Sequence, residues 1–428
     1  MINGKSNLFL NNLHLMKKYW FYLESYTFIW TKNNKGVVYN SLLYSSIEFN
    51  NVGIVKEKIT QFDDLRNMYC IELTEEELLD NNLKKLVSQL QDSSSGGLME
   101  KSLSDQKPVI FPPKLKLFRS AEQNGVNPRY EEFGKEMKTY LHEITFFVNG
   151  SCNHQCAHCD KQYKQMLYCT KSNYTLAFDV VYSYLAEFET ANVSQINLLG
   201  GNIFDYKEIY KLSDLINRIK SAKTTFHSNY LNVPNDFSQL NIFKKENLSL
   251  KILVNFPITD KFEKTVLLVN NSELNIEWLF AITSEDECDK VINLVEKYQL
   301  KSFEIKPLFT GSNYTFFKEN VFLSKKDILK SKLNRRQIFM NEVLNIFDFG
   351  KIVITSDGLV YANLNHSSLG DIKNPILELM YKELGNGTSW RRTRCNTTPC
   401  KNCVYSYLCP SPSNYELVIK QPNLCTLE

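Results

Sequence analysis

The chain has 428 residues, 43% of them hydrophobic and 23% charged, with a formal net charge of +3. This length supports about two or three domains with cores of their own, and the near-balanced charge argues against nucleic acid or another polyanion as partner. No apolar run reaches the ~18 residues of a membrane helix, and the opening "MINGKSNLFLNNLHLMKKYW" lacks the basic region, apolar stretch and small-residue cleavage site of a secretory signal; a cytoplasmic protein with no membrane partner is expected.

The stretch "YWFYLESYTFIW" (19–30) alternates large apolar residues, most cleanly at Tyr26, Phe28 and Trp30. It turns at "NNKG" (33–36) into "VVYN" (37–40), a β-hairpin signal. "CIEL" (70–73) reads as a short strand, and Thr74-Glu75-Glu76-Glu77 fits a capping box. Leu78, Leu79, Leu83, Leu86, Val87 and Leu90 then lay an apolar stripe along the helix that follows. Residues 19–91 are therefore expected to form a small winged module. "DSSSGG" (92–97) reads as a flexible break, and 98–138, with Pro108, Pro112 and Pro113, as an irregular bridge.

From 139 the pattern changes to alternating strand and helix. "YLHEITFFVNG" (140–150) and "VSQINLLGGN" (193–202) read as strands separated by the helix "LAFDVVYSYLAEF" (176–188). A helical pattern over 206–222 leads to "TTFHSNY" (224–230), and further strands follow at "LSLKILVNF", "IEWLFAI" and "KSFEIKPLF", with "EDECDKVINLVEKYQ" (285–299) the clearest intervening helix. About six β-α units predict a parallel sheet, and that number suggests a partial (β/α)6 barrel with its active site at the C-terminal strand ends. After about residue 310 the repeat stops. "KIVITSDGLVYANL" (351–364) reads as a hairpin around Asp357-Gly358, and a short helix is expected near 375–384.

The eleven cysteines are not scattered: three lie in 152–159 and five in 395–425. Cys70, Cys169 and Cys288 stand apart and read as small core residues. In "GSCNHQCAHCDKQ" (150–162), Cys152, Cys156 and Cys159 are spaced C-x-x-x-C-x-x-C directly after the first strand of the repeat. Three thiolates with His154 or His158 could close a structural zinc site; alternatively they could hold three irons of a [4Fe-4S] cluster and leave the fourth open.

That spacing, at that place in a β-α repeat, resembles the radical S-adenosylmethionine (SAM) enzymes. The resemblance implies that Cys152, Cys156 and Cys159 ligate a cluster whose open iron chelates SAM. Reductive cleavage of the C–S bond then gives a 5′-deoxyadenosyl radical, with a ferredoxin or flavodoxin as electron source. It also implies that the planar side chain of His158, just before the third cysteine, seats the adenine. Gly200-Gly201-Asn202 falls where the family carries Gly-Gly-Glu or Gly-Gly-Asp at the end of the second strand. The glycines allow close backbone approach, while Asn202 keeps an acceptor oxygen but lacks the charge that would pair with the SAM ammonium.

The second group, "CNTTPCKNCVYSYLCPSPSNYELVIKQPNLC" (395–425), resembles the SPASM extension of radical SAM peptide maturases, and with "SWRRTR" (389–394) it is similar to the SPASM-type maturases and "pseudo-radical SAM" proteins of Bacteroidetes ribosomal-peptide (RiPP) systems. The resemblance, over roughly 139–428, implies one auxiliary [4Fe-4S] cluster on Cys400, Cys403, Cys409 and Cys425; a four-thiolate zinc site fits the same residues. A second auxiliary cluster is expected to be lost, because Ser413 and Asn363 stand where its cysteines would be, and Cys395 is left over. The basic run is expected to be solvated or substrate-facing. The N-terminal module resembles a RiPP recognition element, which would capture a precursor-peptide leader as an added strand.

The expected organisation is a winged recognition-like domain with its linker over 1–97, a bridge over 98–138, a radical SAM partial barrel over 139–310 and a SPASM-like domain over 311–428. The expected function is modification of a ribosomally made precursor peptide by a crosslink (thioether or carbon–carbon) or by epimerisation. One alternative is a non-catalytic partner that delivers a precursor peptide. The other, a zinc-stabilised regulatory or nucleic-acid protein, is disfavoured by the balanced charge.

Overall fold

The computed structural model describes residues 17–114, 139–187, 193–216, 222–270 and 272–427. The chain divides into two units. The first takes the described residues up to 114 together with 326–339 and 402–408; the second takes the described residues of 139–325, 340–401 and 409–427.

In the first unit, β1 (Lys18–Leu23) is the centre of a three-stranded antiparallel sheet, flanked by β5 (Cys70–Thr74) and β6 (Gly96–Glu100). A second antiparallel sheet runs β2 (Thr27–Lys32), β3 (Lys35–Asn40), β4 (Ser45–Asn50). The hairpin expected at 33–36 is the β2–β3 turn, with Asn33 at a φ of 54°. The alternation over 19–30 is two strands, because the backbone turns between them, Thr27 N–H donating to Glu24 O at 2.9 Å. Helices α1 (Gly53–Asp63) and α2 (Asn81–Asp92) supply the rest of the core. Val55, Ile59 and Phe62 meet Leu83, Leu86, Val87 and Leu90 over Phe21 and Ile71. Each such side chain contributes about 1.5–3 kcal/mol on burial.

The capping box at Thr74 forms, with Thr74 N–H donating to Glu77 Oε2 at 2.9 Å, but it closes a short 3-10 turn. α2 itself is capped by Asp80, whose carboxylate accepts from Leu83 N at 2.9 Å. Leu79 thereby leaves the apolar stripe and is 76% exposed. "DSSSGG" is not a break. Ser95 O accepts from Thr27 Oγ1 at 2.8 Å, and Gly96 and Gly97 enter β6, where a Cβ on Gly96 would lie 2.3 Å from Tyr22 O. Of the expected bridge, 98–100 belongs to β6, 101–114 is irregular, and 115–138 lies outside the described residues.

The same unit is completed from far along the chain. Trp30 stacks on Tyr407 with centroids 5.1 Å apart, and Phe28 meets Phe339 edge-on at 5.7 Å. Tyr39 Oη donates to Leu333 O at 3.0 Å, and Tyr405 Oη hydrogen-bonds the Glu48 carboxylate.

The second unit is built on a nine-stranded sheet. Six strands run parallel in sequence order: β7 (Glu143–Asn149), β8 (Gln195–Gly200), β9 (Lys223–Asn229), β10 (Leu248–Asn255), β11 (Ile276–Ile282) and β12 (Phe303–Pro307). The helical text between them forms α3 (Phe178–Glu187), α4 (Ile209–Ile216), α5 (Asp260–Asn270) and α6 (Glu285–Tyr298). Alternate strand residues such as Ile144, Phe146, Ile196, Phe226, Ile252 and Phe280 pack under these helices with Val181, Leu212, Phe262 and Val291. The hairpin around Asp357-Gly358 is β13 (Lys351–Ile354) and β14 (Leu359–Tyr361), and β15 (Gly370–Asp371) follows. β13 pairs parallel with β7, so this hairpin extends the sheet past its first strand. Helix α7 (Ile376–Asn386) closes the segment.

The other face of the sheet divides along its length. Toward the C-terminal ends it is apolar, with Phe147, Leu199, Leu253, Leu279 and Ala281. Toward the N-terminal ends it is polar: Asn197 bonds Glu143 and His227, Lys251 pairs with Glu304, and Thr225 bonds Gln195 and Ser249. The Asn197 amide donates to Glu143 Oε1 at 2.9 Å, which turns its carbonyl oxygen toward His227 Nε2, 3.1 Å away. His227 is therefore held neutral as the donor. Burial, with the nearby Lys251 and Lys306, pushes its pKa down to about 3 from 6.5. A histidine whose folded pKa lies below its unfolded one stabilises the fold above the unfolded value and loses that contribution as pH falls toward the folded one. Stability should thus decline as pH drops from about 6.5 toward 3. His227→Gln should remove that part of the decline in chemical-denaturation midpoints measured across the range, and an unchanged pH slope would rule the assignment out.

Candidate metal and cofactor site

The cysteine loop leaves the C-terminal end of β7 and is tied down by backbone. Gly201 N–H donates to Asn149 O at 3.0 Å, Asn202 N–H to Ser151 O at 2.6 Å, and the Asn149 amide to Asn202 O at 2.8 Å. The glycine pair exists for this approach. A Cβ on Gly200 would lie 2.0 Å from Asn149 Oδ1, and one on Gly201 2.2 Å from Ser151 O. On the other side, Gly150 exchanges backbone hydrogen bonds with Ser172 and Tyr174, each 3.0 Å. Asn202 spends its side-chain oxygen on Phe204 N, 3.2 Å away, capping the turn that follows.

His158 sits in the left-handed region at φ 61°, a conformation tolerated by histidine better than by most side chains. It reverses the chain so that Cys159–Gln162 makes one helical turn, which the next segment anchors. Lys161 Nζ donates to Thr310 O at 3.0 Å, and Gln165 exchanges hydrogen bonds with the Phe309 backbone at 2.8 Å.

The thiols of the loop lie in two settings. Cys156 and Cys159 are neighbours that shift one another's pKa, and Cys159 also neighbours Cys169, one of the three cysteines expected to stand apart. Cys152 instead faces the Asn232 amide, 3.8 Å from Nδ2, and that amide also holds Gly201 O at 3.1 Å. Contact with Cys156 pulls the Cys159 pKa down, but contact with Cys169 and burial push it up to about 11. Beneath them Tyr168 is buried, accepting from the Asn229 amide at 2.9 Å, and its own pKa is raised by burial and then by the neighbouring thiols. Cys156, His158, Cys159, Lys171, Asp357 and His366 border a cleft of about 680 Å³.

Among the described residues no three His, Cys, Asp or Glu side chains converge as a formed metal site. The donor set nevertheless fits a sulfur-ligated group. Soft thiols dominate the loop, two of them in contact beside a cleft, and close backbone contacts hold it in place.

In the C-terminal segment Cys400 is buried and Cys409 half-buried, while Cys425 pairs by a single bridge with Leu323. Asn423 Nδ2 donates to Cys425 Sγ at 3.0 Å. Cys403 falls in the 402–408 segment of the first unit. The basic run before them is not solvated. Arg392 is 13% exposed and lies 3.8 Å from Asp348, and Arg394 is 7% exposed and paired with Glu416. Burial pushes Asp348 up to about 6 against the pull of Arg392. Asn363 donates to Asp348 at 2.9 Å and to Asn414 at 2.7 Å, while Ser413 caps helix α8 (Asn414–Ile419) in a capping box with Glu416. Both positions where the resemblance calls for cysteines are thus occupied by satisfied polar groups. The buried arginines had no local signal, since their partners lie distant in sequence.

Compared by sequence, the chain matches no family model and no curated protein. By structure it is similar to SuiB of Streptococcus suis, at a TM-score of 0.50 and 12% identity over 95% of this chain and 100% of that one. SuiB bound to precursor peptide SuiA matches at a TM-score of 0.48 and 13% identity, with the same coverage. anSMEcpe with bound AdoMet matches at 0.46 and 16%, over 66% of this chain and 92% of that one. The likeness to SuiB is one of fold: a mixed α/β chain around a central parallel sheet. No described helix is long and apolar enough to cross a membrane.

Proposed function

We propose that the chain is a radical SAM peptide maturase with a partial (β/α)6 barrel and a SPASM-type C-terminal segment. The reading is carried by the thiol loop at the C-terminal end of β7, with the Gly200–Gly201 backbone pressed beneath it, in a sheet of six sequential parallel strands. SuiB, whose fold the chain shares, has been crystallised with S-adenosylmethionine and with precursor peptide SuiA.

In this reading Cys152, Cys156 and Cys159 hold a [4Fe-4S] cluster, which when bound supplies the electron that cleaves SAM to a 5′-deoxyadenosyl radical. His158, Gly200, Gly201 and Asn202 border the cofactor. Cys400, Cys403, Cys409 and Cys425 hold one auxiliary cluster. The hydrogen-bonded settings of Asn363 and Ser413 support the absence of a second. The winged N-terminal unit receives the leader of a ribosomal precursor peptide along a sheet edge. The product is a crosslink or an epimer, and the protein works in the cytoplasm with a ferredoxin or flavodoxin as reductant.

A second reading, a non-catalytic partner that delivers the peptide, is favoured by Asn202, which is uncharged and has its oxygen engaged in a cap. Anaerobic reconstitution decides between the two. About eight irons per chain with 5′-deoxyadenosine formation is expected, and Cys156→Ala should abolish the cleavage and leave about four irons. About four irons with no cleavage in the unmodified chain would establish the second reading, and zinc in place of iron at both sites would sink both.

A further inference from the structure

Two buried groups of opposite charge, Asp348 and Arg392, stand opposite each other without closing. Asp348 Oδ1 accepts from the Asn363 amide at 2.9 Å, but Oδ2 is buried with no hydrogen-bond partner, and so is Arg392 Nε. Arg392 Nη2 lies 3.8 Å from Oδ2, beyond hydrogen-bond reach. That nitrogen is spent elsewhere, donating to Pro412 O at 3.1 Å and to Ser413 O at 3.0 Å. It carries two hydrogens, so both are committed.

Those carbonyls belong to the stretch that starts α8. Asn345 Nδ2 also donates to Pro412 O at 2.9 Å, and Ile346 N–H to Ser411 Oγ at 3.1 Å. Ser413 is the N-cap, and Asn414 Oδ1 accepts from the Asn363 amide at 2.7 Å. One guanidinium thus stands between a buried carboxyl and the entry to a helix. A buried carboxyl with an unmet oxygen is tolerated when protonated and costly when ionised. Once it is ionised, the nearest cation is Arg392, and a charge-assisted hydrogen bond is the stronger kind. The guanidinium is a rigid planar fork, so turning it toward Oδ2 takes it away from Pro412 and Ser413.

We infer that Asp348 and Arg392 form a pH-responsive latch on the start of α8. Ionised Asp348 draws the guanidinium off the Pro412 and Ser413 carbonyls, and protonated Asp348 leaves it on them. The latch is independent of the maturase reading and of any metal at the cysteines.

The surrounding charges set its direction. Burial pushes Asp348 up to about 6 from 3.8, against the pull of Arg392 and of Lys351 on β13, while Glu383 on α7 pushes the same way as burial. Glu416 and Arg394 act in turn on Arg392, and His366, lowered by burial, lies in the field of Arg392. A carboxyl whose folded pKa is raised stabilises the fold below its unfolded value and loses that contribution as pH rises through the folded one. The entry to α8 should therefore be held at about pH 5 and loosened above about 6.

The test is amide hydrogen exchange of the full chain, read by mass spectrometry at about pH 5 and about pH 7.5 and divided by the intrinsic chemical rates. In the unmodified chain, peptides from 411–421 should exchange about tenfold faster at the higher pH, the ratio that corresponds to one unit of pKa shift. Peptides from β10 should not change. Asp348→Asn, which cannot ionise, should exchange slowly at both pH values. Arg392→Met, which removes the donor from the two carbonyls, should exchange fast at both. A pH difference that survives in Asp348→Asn would assign it to His366 or another group and overturn the latch. Equal rates at the two pH values in the unmodified chain, an acceleration shared by β10, or slow exchange in Arg392→Met would overturn it as well.

Discussion

Gly201→Ala is expected to lose the iron of the first thiol loop and to destabilise the second unit by about 3 kcal/mol, the upper range for forcing an extra methyl into a packed site. The added Cβ would lie 2.2 Å from Ser151 O and 2.5 Å from Gly150 O. Both atoms are backbone, so no rotamer change can relieve the clash. Either the loop lifts off the end of β8, breaking the Asn202 N–H to Ser151 O bond of 2.6 Å, or the strand end shifts. Gly385 provides the contrast. It lies within α7, and a Cβ there would meet nothing within 4 Å. Gly385→Ala should therefore be neutral or stabilising by up to about 1 kcal/mol through lower unfolded-chain entropy. Denaturant titration of the two variants, with iron counted after reconstitution, checks both. A Gly201→Ala protein with unchanged midpoint and full iron would show that the glycine pair is not needed for the loop.

Glu416→Ala should cost about 3–5 kcal/mol, the range for removing one partner of a buried ion pair. It strands the Arg394 charge at 7% exposure and removes the capping box that starts α8 at Ser413. Glu416→Gln fills the same space and keeps one acceptor oxygen, enough for either Arg394 or Ser413, and should cost less. An exposed pair calibrates the comparison: Lys211 and Glu208 lie 2.8 Å apart but are 67% and 37% exposed, and Glu208→Ala should change stability far less. Thermal or denaturant unfolding of the three variants is sufficient. If Glu416→Ala proves as mild as Glu208→Ala, the buried pair does not brace the C-terminal segment.

Much of the second unit is legible in the sequence because its signals are local. Six apolar strands separated by helix-period text imply a parallel sheet in chain order, and β7 to β12 are arranged so. The placing of the Cys152–Cys159 loop after the first strand and of Gly200–Gly201 after the second follows from the same spacing. Asp357-Gly358 announces its hairpin by turn chemistry, and Leu83, Leu86, Val87 and Leu90 announce a buried face by period.

What the tertiary structure alone decided are the pairings across long stretches of chain. Nothing near Trp30 in the sequence points to Tyr407, nor near Tyr39 to Leu333, yet these contacts draw 326–339 and 402–408 into the first unit. "DSSSGG" has the composition of a linker, but its two glycines enter an edge strand because β1 offers them a partner. "SWRRTR" has the composition of a solvated patch but is buried because Asp348 and Glu416 await two of its arginines. Cys169 reads as a lone core residue until folding sets it against Cys159. Composition and period report what one segment prefers, and they determined the elements and the thiol groups. Burial of a charge or a thiol depends on which distant group arrives to satisfy it, and only the folded chain brings that group into place.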